Sequence, residues 1–209
     1  AFPYKTPLEF TYDCGEFEKV MDKALVASDY AGFPARRADA AARGKLRGIG
    51  VAMGIEIATR PGIEHVGLKF APDGGVTVLA GSTNHGQGHE TIYTQYLVDR
   101  LGLDPESVTV IESDTRVMAA GNGTGGSRSA AFGAAAILES IGQCVEQGRR
   151  IAAHLLQAGA AELVFDEGVY RVGATGRSIA FTEVAKAAFQ PEALPEDLAP
   201  GLGADGSAR

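Results

Sequence analysis

The sequence predicts an α+β fold in two layers, with a small mixed β-sheet covered by helices. Two observations predict it: a hairpin pattern over residues 64–80, and two consecutive β-α-β-type units in which a strand, a glycine-rich loop and a helix follow one another. The chain has 209 residues, 45% of them apolar and 22% charged, which suits one globular domain or two small ones. We predict an extended and helical segment at 1–45, an α+β domain at 46–190 and a linker-like tail at 191–209.

The first part of the chain is predicted to be extended and then helical. Residues 1–15 are rich in Pro and aromatic side chains. Apolar positions at helical spacing predict a helix over 16–31, and a second helix over 34–43 has Pro near its start and Gly after its end. Residues 46–59 carry β-branched side chains at alternate positions between glycines, which predicts a strand. Because the chain begins without Met, we expect this end to lie inside a longer protein.

Strand and helix patterns alternate through the rest of the predicted α+β domain. The predicted strands are 64–71, 75–80, 107–112, 161–166 and 168–173. The predicted helices are 89–101, 128–156 and 181–189. The helix over 128–156 is so rich in Ala and Gly that we expect it to lie deep against a sheet, whereas the tail after Pro191 has the composition of a linker.

Charge and composition exclude several classes of function. The formal net charge of −7 opposes nonspecific binding to nucleic acid, which needs clustered Lys and Arg. The longest apolar stretch is too short for a membrane span. Cys14 and Cys144 are far apart and form no C-x-x-C motif. We therefore expect neither a disulfide framework nor a zinc site, and we expect a reducing cytoplasm as the compartment.

Isolated acids and histidines offer little chemistry. His85 and His89 are four residues apart, but His85 lies in the loop before the predicted helix, so we expect no metal bound by protein side chains. Asp13, Glu112 and Asp114 have the chemistry of an acid or base, but nothing in the sequence pairs them, and solvated or capping roles are favoured.

The two glycine-rich loops are the most informative feature. A helix N-terminus leaves backbone N–H groups unpaired and carries partial positive charge, and glycines before it let the backbone approach a ligand closely. If the two strands are parallel, both loops lie at the same edge of the sheet, where α/β proteins bind ligands. Two adjacent anion sites suit a long ligand with phosphates in its middle. We therefore expect residues 86–91 and 123–129 to lie close together.

The first loop and helix start contain Gly86, Gln87, Gly88, His89 and Thr91. The Gln87 amide offers both a donor and an acceptor to the edge of a heterocycle. His89 and Thr91 fall in the first helical turn, where their side chains can add to the backbone donors. A plain glycine turn before a helix explains the same residues, and composition does not decide between these two interpretations.

The second loop contains Thr124, Gly126, Ser127, Arg128 and Ser129. Gly121, Gly123 and Gly126 match G-x-G-x-x-G, but the loop begins well past its strand and the acidic residue Glu146 that follows lies inside a helix, so we discount the Rossmann interpretation. Ser127 and Ser129 are predicted N-caps of the helix that follows. Arg128 is the one cation in the glycine-rich segment 121–129, and the pattern favours a surface salt bridge over an anion contact.

The ordered combination of motifs resembles the large subunit of the molybdenum hydroxylases, the family of xanthine dehydrogenase, aldehyde oxidase and carbon monoxide dehydrogenase. The resemblance covers about residues 1–175. It is carried by G-Q-G-H-E-T at 86–91, L-G-L-D-P-E-S-V at 101–108, Asp-Thr at 114–115, and Gly-Thr followed by G-S-R-S at 123–129, with F-P-Y, Y-D, G-F-P-A-R-R and R-G-I-G upstream.

The resemblance implies a molybdopterin cofactor, in bacteria often the cytosine dinucleotide, whose molybdenum is bound through the pterin. Residues 87–91 and 124–129 match segments that line the pterin and its phosphates. The implied reaction is oxidative hydroxylation of an aldehyde, N-heterocycle or carbon monoxide-type substrate. Electrons then leave through iron–sulfur and FAD subunits, and the rest of the large subunit is the other partner.

Three departures limit what this chain does alone. The family's other cofactor loops and its catalytic glutamate have no match here, so we expect the isolated fragment to be inactive. Gly125 stands where the carbon monoxide dehydrogenase pattern has an aromatic residue, which puts that substrate in doubt. A stand-alone phosphate- or nucleotide-binding module, and a noncatalytic interaction domain built on the Ala/Gly-rich helix, remain open alternatives.

Overall fold

The computed structural model describes residues 2–8, 10–55, 62–118, 120–173 and 175–209. The chain divides into two compact units, Ala1–Ile55 and Glu56–Arg209. This division lies further along the chain than the predicted boundary at 45/46. None of the helices in the described ranges is long and apolar enough to cross a membrane.

The first unit holds two short strands and two helices. Strands β1 (Tyr4–Lys5) and β2 (Thr11–Tyr12) pair antiparallel. Helix α1 spans Phe17–Ala27 and α2 spans Phe33–Ala42. The predicted helix over 16–31 stops early because Asp29 adopts a left-handed backbone, and its carboxylate accepts a hydrogen bond from the Gly32 N–H at the start of the next turn.

The predicted strand at 46–59 is wrong where it can be compared with the structure. Residues 46–55 contain neither helix nor strand, and all of their side chains are exposed; 56–59 lie outside the described residues. A strand needs a neighbouring strand to satisfy its backbone N–H and C=O groups, and alternation of β-branched residues does not supply one.

A four-stranded sheet is the centre of the second unit. Its strands span Glu64–Phe70 (β3), Val76–Ala80 (β4), Val108–Glu112 (β5) and Gly203–Ala208 (β9). They lie in the order β5, β4, β3, β9. Strands β3 and β4 form the predicted antiparallel hairpin, while β4 and β5 run parallel, joined by helix α3 (His89–Leu101). The sheet is therefore mixed, as predicted.

Helix α4 (Ala131–Leu155) covers one face of this sheet. Its small residues allow the close approach that the composition predicted, and the Ser140 hydroxyl donates to the Val66 carbonyl over 2.6 Å. Cys144 is fully buried in this layer, and burial raises the pKa of its thiol to about 12. The buried thiol therefore acts as a small core side chain.

A smaller antiparallel sheet and a fifth helix complete the second unit. Strands β6 (Leu163–Asp166), β7 (Val169–Val172) and β8 (Ser178–Ala180) pair in chain order, and α5 spans Phe181–Ala187. Tyr170 and Phe181 are fully buried, and the Tyr170 hydroxyl donates to the Val145 carbonyl of α4 over 2.8 Å. The β6–β7 hairpin and the helix match the sequence prediction.

The predicted linker-like tail is wrong, because 203–208 form the edge strand β9. The strand contains only small and polar residues, so it lacks the alternating apolar pattern that identifies strands. The small side chains let this strand pair with β3 beneath α4, because a Cβ on Gly206 would overlap the Ala136 carbonyl oxygen. From α4, Glu139 accepts from the Ser207 N–H at 2.8 Å and Gln147 donates to the Gly203 carbonyl at 3.0 Å.

We predict that Gly206→Ala destabilises the protein. The added methyl forces α4 and β9 apart, and overpacking of this kind costs about 1–3 kcal/mol. The matched control is Gly142→Ala on the exposed side of α4, where a Cβ meets nothing within 4 Å and removal of a mid-helix glycine stabilises by about 0.5–1 kcal/mol. Urea unfolding of both variants measures the difference; a Gly206→Ala protein as stable as the wild type would contradict the packing of β9.

Candidate cofactor-binding site

The two glycine-rich loops leave the sheet side by side. Strands β4 and β5 are parallel, with Val78 opposite Val110, so both run into their loops at the same edge. This is the edge at which α/β sheets bind ligands. The first loop, 81–88, ends at α3, and the second, 113–130, ends at α4.

Two glycines bring the backbones of these loops into direct contact. A Cβ on Gly121 would lie 2.7 Å from the Gly81 carbonyl oxygen, and one on Gly81 would lie 2.8 Å from the Gly121 Cα. The same Gly81 carbonyl accepts from the Gly123 N–H at 3.0 Å. No other residue type fits at either position without moving a loop.

The Thr83 peptide joins side chains from both loops. Its carbonyl accepts from the Gln87 amide at 3.0 Å and from the Thr124 hydroxyl at 2.6 Å, and its N–H donates back to the Thr124 oxygen at 3.0 Å. The predicted proximity of 86–91 and 123–129 is therefore confirmed. A depression of about 530 Å³ lies beside this junction, lined by Gly81, Thr83, Ser113, Thr115, Met118, Ala120, Gly121 and Gly123.

The second loop presents free backbone donors. The N–H groups from Thr124 to Ser127 donate to no acceptor among the described residues. Gly123, Gly126 and Ser127 have left-handed backbones with φ of 66°, 63° and 54°, and a Cβ on Gly125 would meet nothing within 4 Å. Successive N–H groups in an open, glycine-rich turn form a site for an anion such as phosphate.

The predicted N-caps are wrong. Helix α4 begins at Ala131, after Ala130 in a helical conformation, and no side chain caps it. Ser127 is exposed with a left-handed backbone, whereas Ser129 is buried and its Oγ lies 3.4 Å from the Thr124 Oγ1. An N-cap needs an extended backbone at its own residue, and the turn that exposes the N–H groups does not provide one.

Arg128 forms a largely buried ion pair, so the predicted surface salt bridge is wrong. Its Nε donates to Glu64 over 3.0 Å, and the two side chains are 13% and 2% exposed. The nearby Asn122 amide donates to the Ile63 carbonyl at 3.0 Å. Both contacts fix the second loop to the start of β3, and the Glu64 carboxylate neutralises the Arg128 charge.

His89 lies beneath the first loop rather than on its surface. The side chain is 3% exposed, and its Nδ1 lies 2.8 Å from the Glu112 carboxylate at the end of β5. Ser82 donates to the same carboxylate oxygen at 2.6 Å and lies 3.1 Å from the hydroxyl of Tyr93, whose pKa is raised mainly by burial. On the other side, the His89 Nε2 lies 3.2 Å from the Gln87 amide nitrogen.

Sequence reasoning missed this buried network. The expectation that Glu112 is unpaired is wrong, because its partners are far from it in the sequence. One signal was available, because Glu112 is the last residue of β5. Since β5 is parallel to β4, Glu112 lies beside the residues that follow β4 and begin the first loop. Asp114 caps no helix: in a turn it accepts from the Arg116 guanidinium and backbone N–H, and these hydrogen bonds, the side-chain ones above all, lower the pKa of Asp114 to about 2.

Of the remaining predicted site residues, Gly86 and Gly88 lie in the first loop and Thr91 lies in helix α3. Gly86 and Gly88 have left-handed backbones and open space where a Cβ would be. Thr91 is exposed on α3, where it lines a surface depression with Glu90, Thr94 and Gln95, and it does not line the depression beside the second loop. Glu90 accepts from the Asn84 amide, which lowers the pKa of the Glu90 carboxyl. Among the described residues there is no group of three His, Cys, Asp or Glu side chains that could hold a metal.

The fold and the paired loops are those of a cofactor-binding domain. The family model of the molybdopterin cofactor-binding domain matches residues 23–207. The chain belongs to this family.

Individual relatives are oxidoreductases. The chain is 33% identical to the carbon monoxide dehydrogenase large chain of Hydrogenophaga pseudoflava, over 96% of this chain and 27% of that protein. Among solved structures, it is similar to a Cu,Mo-CO dehydrogenase with a TM-score of 0.69 and 29% identity, over 99% of this chain and 28% of that one. Quinoline 2-oxidoreductase from Pseudomonas putida 86 has a TM-score of 0.63 and 27% identity over the same shares. The chain thus spans little more than a quarter of the length of these relatives.

We predict that Gly121→Ala separates the two loops. The methyl collides with the Gly81 backbone, and the strain lowers the free energy of unfolding by about 1–3 kcal/mol. Gly125→Ala in the same loop is the matched control, because its Cβ meets nothing within 4 Å. Urea unfolding compares them; equal stability of the two variants would contradict the close approach.

We also predict that Thr124→Val is more harmful than Thr124→Ser. Val has the shape of Thr but loses both hydrogen bonds to the Thr83 peptide, at about 1 kcal/mol each. Ser retains the hydroxyl and both bonds. Thermal unfolding and hydrogen exchange at the Thr83 N–H measure the effect, and a Val variant with unchanged protection would show that the junction does not depend on this hydroxyl.

Proposed function

We propose that the two loops together hold molybdopterin, with the first loop at the pterin and the second at its phosphates. The observation that carries the proposal is the junction at Thr83, where Gln87 and Thr124 meet on one carbonyl. A long ligand with a polar heterocycle at one end and an anionic middle matches this order of groups. The residues proposed for the cofactor-binding site are Gly86, Gln87, Gly88, His89, Thr91, Thr124, Gly126, Ser127, Arg128 and Ser129.

The residues present fit such a cofactor to different degrees. The exposed N–H groups at 124–127 and the open space above Gly86, Gly88 and Gly125 supply donors and room. Because His89 and Ser129 are buried and Arg128 is paired with Glu64, these three act from behind the loop backbone. Thr91, on the exposed side of α3, has the weakest structural support.

We infer that the whole protein is the large subunit of a molybdenum hydroxylase and catalyses oxidative hydroxylation. When bound, the cofactor supplies a molybdenum centre that takes electrons from the substrate. The loops hold and orient the cofactor, and their glycines let the backbone contact it without intervening side chains.

The substrate is proposed as a class: an aldehyde, an N-heterocycle or a carbon monoxide-type molecule. The names of the relatives span carbon monoxide, quinoline and nicotine. We propose the cytosine dinucleotide form of the cofactor, and iron–sulfur and FAD subunits as electron acceptors. The free thiols of Cys14 and Cys144 are consistent with a proposed cytoplasmic location.

The proposal is tested by three variants of the full-length subunit. Gly126→Val should abolish cofactor loading, because Gly126 has φ of 63° and a β-branched residue in that conformation costs on the order of 1–3 kcal/mol before any clash with the ligand. Gln87→Ala should reduce loading less, because it removes hydrogen bonds of about 1 kcal/mol each without filling the site. The measurement is molybdenum and pterin per folded subunit.

The control is Glu167→Asn, in the turn between β6 and β7. Glu167 has a left-handed backbone, which Asn tolerates, and its neighbour Gly168 packs on the far end of α3 from the first loop. Full loading is expected in this control. Equal loading in all three variants would mean that these loops do not bind the cofactor.

A further inference from the structure

The Gln87 side chain is exposed, yet all of its amide hydrogen bonds are directed inward. Its nitrogen donates to the Thr83 carbonyl at 3.0 Å and lies 3.2 Å from the His89 Nε2. Its oxygen accepts from the His85 N–H. Because the Thr83 carbonyl only accepts and the His85 N–H only donates, these two backbone groups fix which end of the amide is oxygen.

The buried residues behind Gln87 determine which nitrogen of the His89 imidazole carries the proton. A carboxylate oxygen only accepts, and the Glu112 oxygen that faces His89 also accepts from Ser82, so the His89 Nδ1 is the donor in the 2.8 Å contact with that oxygen. A neutral imidazole has one N–H, and placing it on Nδ1 leaves Nε2 as an acceptor. That acceptor is what the second N–H of the Gln87 amide requires. The chain of donors therefore runs from Gln87 through His89 to Glu112.

A purely structural role does not explain why this polar network is buried. The second carboxylate oxygen of Glu112 is buried and has no hydrogen-bond partner among the described residues. A buried acidic group with one unpaired oxygen contributes less to stability than apolar side chains of similar volume would. Its position directly behind a proposed ligand contact indicates a role at the loop.

We propose that His89, oriented by Glu112, is a positioning residue that holds the Gln87 amide in one orientation and so determines which of its atoms faces the cofactor. The oxygen of Gln87, with one lone pair unused by the His85 N–H, is then the group offered to a donor outside the loop. This inference rests on the proposed function, because it assigns to Gln87 the contact with molybdopterin.

Two substitutions separate the two nitrogens of His89. In His89→Asn the short amide still reaches Glu112, at the place of Nδ1, but not Gln87. In His89→Gln the longer amide reaches the place of Nε2 and provides an acceptor for Gln87. The experiment uses the full-length subunit in its complex and measures the rate at which molybdenum and pterin are lost on dilution.

The expected result is about a fivefold faster loss in His89→Asn, the factor that one hydrogen bond typically contributes, and a rate near that of the wild type in His89→Gln. In a Gln87→Ala background, His89→Asn should have no further effect, because the residue through which it acts is missing. A crystal structure of the His89→Asn subunit should show the Gln87 nitrogen no longer bonded to the Thr83 carbonyl.

A role of His89 in stability alone gives a different result. His89→Asn would then accelerate the loss equally in both backgrounds, or Asn and Gln would act alike, and either outcome would overturn the inference. If Gln87→Ala retains the cofactor as well as the wild type, the proposed contact at Gln87 is wrong. The orientation of Gln87 in the crystal structure of His89→Asn then decides separately whether His89 positions the amide. An amide in the same orientation as in the wild type would refute the positioning role of His89.

Discussion

The contact between the Gly81 and Gly121 backbones governs the geometry of the whole site. It holds the first loop, which comes after β4, against the second, which comes after β5, more closely than any side chain would allow. Only at this separation does the Thr83 peptide reach Thr124 while it also accepts from Gln87. The parallel pairing of β4 and β5 makes the contact possible, because it brings both loops to one edge of the sheet. The backbone thus sets the positions of the loops, and side chains refine them.

Buried polar groups support this junction from two sides. Glu112, Ser82 and His89 lie under the first loop, and the pair of Glu64 and Arg128 anchors the second to the start of β3. Each group is held by partners distant in sequence, so each contact joins separate elements of the sheet and helices. Such networks specify one arrangement of the loops even where apolar packing would be more stable. The free N–H groups at 124–127 remain available to a ligand because the fixed turn, not a cap, shapes the backbone before α4.

Features encoded by neighbouring residues could be predicted from the sequence. The hairpin, the helices α3 and α5 and the paired loops carry periodicity and glycine signals that are local in the chain. The predictions that failed depend on distant partners. Strand β9 has no apolar alternation and forms because β3 and α4 accept small residues there, whereas residues 46–55 have the alternation but pair with no strand in the part of the chain that the structure describes. Likewise, nothing next to Glu112 in the chain indicates that His89 binds it. The ordered combination of motifs, through its resemblance to a known family, indicates molybdopterin, whereas the two loops alone favour any long anionic ligand.

A crystal structure of the cofactor-loaded full-length subunit would test whether both loops contact one cofactor molecule. We predict that molybdopterin lies across the Thr83 junction, with its pterin within hydrogen-bond distance of Gln87 and a phosphate oxygen accepting from N–H groups between Thr124 and Ser127. A structure in which the cofactor contacts neither loop, or contacts one while the other faces solvent, would contradict a shared site.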